Sequence, residues 1–191
     1  MADTLELNRD NSSVKSIPEH LSRLHEDSLL SEQEKIKITN GAITREAAVS
    51  GAAVLAVSST GIFAAAAAAK SFKTYDDIEK TIEGKEAETE SAAIKRDFGG
   101  RLGADRVKAI EAGCQPSSLR TMLTMGANMA EDTAWGFGSG LAFSVGSAGW
   151  SIPVFSLAGA GSGTVNGLSR LRYDQRTCEV ASFRSELSKG R

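Results

Sequence analysis

An all-α fold is predicted for this chain, with amphipathic helices flanking an Ala-rich hydrophobic helix and a Gly-rich helical hairpin. Three observations point to it. Charge is excluded from two long stretches of the 191-residue chain, Ala47 to Ala69 and Thr133 to Ser169. Small residues recur at every fourth position inside both stretches, which is close to the 3.6-residue turn of an α-helix. Outside the Gly-rich stretch, no segment alternates apolar and polar residues as a half-buried strand does.

Composition narrows the function classes. A net charge of −2 gives no support for nucleic-acid binding. Much of the 41% hydrophobic fraction is Ala, so a conventional core is thin. The two cysteines, Cys114 and Cys178, are too few for a disulfide framework and form no C-x-x-C motif, and Cys114 reads as an unpaired thiol. The first thirty residues mix charges with isolated leucines, without a charged start followed by an apolar run, and no secretory signal peptide is expected.

Taken in order, residues 1–46 form a charged amphipathic N-terminal region. Ser16-Ile17-Pro18 reads as a helix start, with Leu21 and Leu24 on one face, and Ser31 with Glu34 fits a capping box. Residues 47–69 are the Ala-rich helix, with Thr44 as a candidate cap. Residues 70–132 are a charged helical middle region. Tyr75, Ile78 and Ile82 share a face there, Gly99-Gly100 marks a break, 104–112 is a short helix, and Ser117 or Ser118 caps the next one. The hairpin spans 133–169, its two arms divided at Pro153, and residues 170–191 are a basic tail.

The glycine spacing is the sharpest local signal. Gly159, Gly163 and Gly167 form one row, and Gly136, Gly140, Ser144 and Ala148 another. The Ala-rich stretch repeats it with Ala48, Ala52, Ala56, Thr60, Ala64 and Ala68. Gly inside a helix costs about 1 kcal/mol relative to Ala. A neighbouring helix packed into the groove offsets that cost, and in lipid close packing between small residues is a main source of helix association. Trp135 and Trp150 stand near the limits of one uncharged arm, as interface anchors do. Arg170 and Arg172 follow the second arm and suit a headgroup anchor. Ser144, Ser147, Ser151, Ser156, Ser162 and Thr164 supply hydroxyls for a water-filled path, and Glu131 with Asp132 an acidic mouth.

The GxxxGxxxG ladder at Gly159, Gly163 and Gly167, with Gly136 and Gly140 as a weaker row, resembles the glycine zipper of pore-forming antibacterial effectors of the type VI secretion system. The resemblance covers the organisation of about residues 45–170. It implies a toxin secreted without a signal peptide and carried by the ring protein of the secretion tube. It further implies insertion into the target-cell inner membrane, self-association into an ion-conducting pore, loss of membrane potential, and a cognate immunity protein in the producer. The bilayer is then the principal partner, and no cofactor is expected.

Enzyme chemistry finds no constellation. His20 and His25 lie five apart, not at the i, i+4 spacing of a zinc helix, and read as surface or capping residues. Neither a dinucleotide fingerprint nor a P-loop nor G-x-S-x-G occurs. No catalytic, metal or nucleic-acid site is expected. Two rival classes stand beside the pore: a translocator or viral ejection-channel subunit that inserts into membranes, and a soluble all-helical structural or interaction protein.

Overall fold

The computed structural model describes residues 17–56, 61–147 and 150–189, and their side chains outside 48–56, 61–71 and 142–147. The described residues are all-α. Six helices follow one another: α1 (Ile17–Ser28), α2 (Glu32–Ala56), α3 (Gly61–Leu102), α4 (Ala104–Cys114), α5 (Ser118–Ser147) and α6 (Ser151–Lys189).

Local chemistry sets most of the starts. Pro18 lies in the first turn of α1, where its missing N–H would have no intrahelical partner. The capping box at α2 forms in both directions: the Ser31 amide donates to Glu34 Oε2 at 3.0 Å, and the Glu34 amide donates to Ser31 Oγ at 3.4 Å. At α5 the cap is Ser117, whose Oγ accepts from the Arg120 amide at 3.2 Å.

Three expected breaks move. Helix α2 runs straight through Thr44, so the Ala-rich stretch is divided between α2 and α3, and residues 57–60 lie outside the described residues. Helix α3 also passes through Gly99-Gly100 and stops at Leu102. Phe98 and Leu102 pack against buried apolar residues, which offsets the helical cost of the two glycines. The stop belongs to Gly103, at φ +81°, a left-handed conformation open to glycine and strained for other residues. The hairpin turn falls before Ser151 rather than at Pro153. Pro153 is the third residue of α6, inside the first turn, where proline is tolerated.

The chain divides into two compact units. The first comprises Met1–Leu30, Lys85–Gln115 and Asp174–Arg191; the second comprises Ser31–Gly84 and Pro116–Tyr173. Neither follows the charge boundaries, because α3 and α6 each run unbroken from uncharged into charged sequence. In particular, residues 170–189 continue α6 instead of forming a separate tail.

Unit one has an apolar centre. Ile17 and Leu24 of α1 meet Ile94 of α3 and Phe183 and Leu187 of α6, with Leu21, Val107, Ile110 and Val180 around them. Charged pairs ring this cluster. His25 Nδ1 lies 2.8 Å from Glu90 Oε2, and Arg184 Nε donates to Glu90 Oε1 at 2.8 Å. His20 bonds Asp97 at 2.9 Å, and its ring stacks edge-on against Phe98. The histidines therefore tie α1 to carboxylates of α3. The expectation of an unpaired thiol at Cys114 is corrected: Cys114 and Cys178 form a disulfide across 64 residues of sequence, with Cα atoms 5.6 Å apart.

Unit two is assembled from α2, α5 and the first halves of α3 and α6. Helix α2 packs on α5, and α5 and α6 form an antiparallel hairpin. Among its described residues the buried apolar side chains of any size are Ile78 and Leu171.

Candidate functional site in the glycine hairpin

Both glycine rows face each other across the hairpin. A Cβ on Gly136 would overlap the backbone of Phe155, and one on Gly140 would lie 2.5 Å from the Ile152 Cα. From the other arm, a Cβ on Gly159 would overlap the backbone of Asp132, and one on Gly163 would lie 2.7 Å from the Met129 Cα. At Gly167 the nearest atom is the Met125 Sδ, 3.1 Å away. At Gly136, Gly140, Gly159 and Gly163 side chains are thus excluded, and each helix rests directly on the other's backbone. These rows are filled from within one chain. Ser144 lies on α5 with its side chain outside the described residues, and Ala148 lies outside them altogether. The same holds for the side chains of Ala48, Ala52, Ala56, Ala64, Ala68 and Ser147, and for Thr60.

Beside the glycine contact lies a buried polar network whose hub, Asn166, the sequence did not single out. Asn166, one turn beyond Ser162 on α6, uses both its donors and its oxygen there. Its Nδ2 donates to Glu46 Oε1 and to Asp132 Oδ2, each at 3.1 Å, and its Oδ1 accepts from Arg45 Nη2 at 3.0 Å. Ser162 Oγ donates to the same Glu46 oxygen at 3.0 Å. Asp132, 0% exposed, also faces the Lys73 ammonium at 3.8 Å, and that ammonium lies 2.6 Å from Glu131. Four helices therefore meet through charges and amides where a soluble bundle would place leucines. Paired ions and the Asn166 amide offset much of the cost of burying this charge, while Arg45 Nε stays buried without a hydrogen-bond partner.

The predicted hydroxyls serve this interior. Ser151 Oγ donates to the Gly140 carbonyl at 2.7 Å across the hairpin, and Ser139 is buried against the Trp135 carbonyl at 2.9 Å. Thr164 bonds back to Ala160, and Ser156 is half-buried. Asp132 is buried, not a mouth residue, while Glu131 is exposed. Arg170 is not a free anchor: it donates to Asp77 at 2.7 Å and Asp76 at 3.0 Å. Burial pushes the Asp77 carboxyl above the usual carboxylate range, and the Arg170 guanidinium partly offsets it. Arg172 is exposed, and Trp135 is half-buried.

No family model matches the chain, and no curated protein or solved structure proves similar to it. The geometry is what remains, and the outer surface completes it.

Large apolar side chains cover the outside of unit two. Leu119, Met122, Leu123, Phe137 and Leu141 of α5 are exposed, as are Val154, Leu157, Val165 and Leu168 of α6. Leu157 is 74% exposed, and Trp150, at the turn between the arms, 77%. Single exposed leucines are ordinary, but a field of this extent marks an interaction surface. No helix of the described residues is long and apolar enough to cross a membrane. The scarcity of charge is offset by Gly, Ser and Asn, which lower the mean hydropathy of each arm.

Proposed function

We propose that this protein is a secreted antibacterial toxin that inserts into the inner membrane of a target cell and forms ion-conducting pores that dissipate its membrane potential. One observation carries the reading: unit two has its polarity inverted, with carboxylates and amides inside and large apolar side chains outside. Such an arrangement suits a solvent in which apolar surface is favourable and every polar group must find its partner internally.

Since no single helix among the described residues is apolar enough to cross alone, the bilayer contact belongs to the hairpin as a paired unit. Its arms present leucines and Trp150 to lipid and turn Asp132, Ser162 and Asn166 inward. Because the glycine rows are already filled, self-association falls to the exposed apolar face. On assembly, the hydroxyls and amides offer ions a path with weak binding sites, which conduction requires. The disulfide supports a role outside a reducing cytosol. A carrier ring protein and an immunity protein follow from the resemblance to type VI effectors.

A second reading is favoured by the exposed apolar side chains of α5 and α6: a soluble helical protein whose apolar face docks onto another protein. Expression with and without an export signal, followed with a potential-sensitive dye, tests the toxin. Exported protein should collapse the potential and arrest growth, while cytoplasmic protein should not. Cells that keep both their potential and their growth refute it. Purified protein that leaves potassium-loaded vesicles sealed, yet captures a defined partner, establishes the second.

A further inference from the structure

The Cys114–Cys178 bond stands in the same register as the glycine contacts. Counting equal steps forward from Cys114 and back from Cys178 brings Met125 opposite Gly167, Met129 opposite Gly163, Gly136 opposite Ser156 and Gly140 opposite Ile152. The bond closes a loop of sequence that contains the entire hairpin. Its surroundings are asymmetric. Cys114 is buried, with its sulfur 3.8 Å from Ser182 Oγ, whereas Cys178 is exposed. Both line a groove of about 490 Å³ whose charged rim is Arg106, Glu186 and Lys189. Glu186 accepts from Arg106 at 3.1 Å and from Lys189 at 3.0 Å, leaving the rim with a surplus positive charge. The cationic rim attracts a thiolate moving through the groove, and the exposed sulfur is the one a partner reaches in disulfide exchange.

We propose that this groove is a thiol–disulfide exchange site at which an oxidising Cys-x-x-Cys protein installs the bond, with Cys178 as the attacking residue. The Cys178 thiolate attacks the partner's disulfide, forming a mixed disulfide and releasing one partner thiolate. Cys114, as thiolate, then attacks the Cys178 sulfur and displaces the second. Two protein thiols are oxidised, the partner's disulfide is reduced to a dithiol, and the two thiol protons end on the partner's sulfurs by way of solvent. This inference is independent of the pore reading.

The test uses the full chain, reduced and freed of reductant, mixed with a purified Cys-x-x-Cys protein in its disulfide form and followed by intact mass. Native chain should lose the mass of two hydrogens. Cys114→Ser should accumulate the mixed disulfide through Cys178 at least about tenfold faster than Cys178→Ser does through Cys114, because buried thiols react slowly. Arg106→Gln combined with Lys189→Gln should slow closure several-fold, while Lys80→Gln leaves it unchanged. Equal rates for the two cysteine variants, preference for Cys114, or thiols that persist in excess oxidant overturn the proposal.

Discussion

The two units solve the same problem with different balances of apolar and polar burial. Unit one buries Ile17, Leu24, Ile94, Phe183 and Leu187 beside two paired carboxylates, Glu90 and Glu179, and Leu29 is its one large apolar side chain exposed among the described residues. Unit two buries Glu46, Asp77, Asn128, Asp132, Ser162 and Asn166 and exposes apolar side chains along both arms of its hairpin. The hydrophobic effect explains the first and works against the second in water. What binds unit two is backbone-to-backbone approach at glycine and a buried polar network centred on Asn166. The lesson is that composition alone does not set which side faces in; spacing and pairing decide it.

The contrast is broken most strongly by truncating one side chain from each unit. Phe183, 0% exposed, leaves a cavity when replaced by Ala, and chemical denaturation should show a loss of about 4 kcal/mol. Leu157→Ser on unit two should change stability by less than about 0.5 kcal/mol, as exposed positions do, while weakening binding to anionic vesicles. Equal stability losses at the two sites would erase the distinction between the units.

The glycines sharpen it further. Gly159→Leu forces a side chain into the Asp132 backbone and should cost about 3 kcal/mol by overpacking. Gly138, on the same hairpin, has open space around its Cβ position. Gly138→Ala should therefore stabilise the protein by up to about 1 kcal/mol through helix propensity. Thermal unfolding of the two variants side by side checks both signs.

A smaller effect separates the units by pH. Asp77 in unit two has its carboxyl raised by burial, so the native state keeps a proton that the unfolded chain has already released. Stability from this group falls as pH rises from the usual carboxylate value through the raised one, and Asp77→Asn should flatten that slope. In unit one, hydrogen bonds from Arg96 and then His20 hold Asp97 below its usual value, and Arg106 and Lys189 do the same for Glu186. Their contribution is present above the usual carboxylate range and is lost as pH falls through the lowered values. Titration of unfolding midpoints between mildly acidic and strongly acidic pH should show the two opposing slopes.

Legibility in the sequence followed the range of each interaction. The zipper rows were legible because four-residue spacing is a property of one helix, and the Ser31–Glu34 capping box because its partners are three residues apart. Gly99-Gly100 misled because a propensity cost of about 1 kcal/mol per glycine is smaller than the packing that Phe98 and Leu102 supply. Asn166 went unnoticed because, within GTVNG, it reads as loop chemistry; its partners Glu46 and Asp132 are 120 and 34 residues away. The disulfide was invisible for the same reason, its register becoming apparent only when the antiparallel arms are known. The exposed apolar face also needed the fold, since it alternates with the buried glycines on the same two helices.

The inverted polarity of unit two is tested most directly at Trp150, the exposed tryptophan of the hairpin turn. With Trp135 replaced by Phe, Trp150 is the single reporter in the chain. Added to vesicles carrying brominated acyl chains, it should shift to shorter emission wavelengths and be strongly quenched, together with release of trapped potassium. Emission that stays at its aqueous wavelength, unquenched over sealed vesicles, contradicts a lipid-facing hairpin.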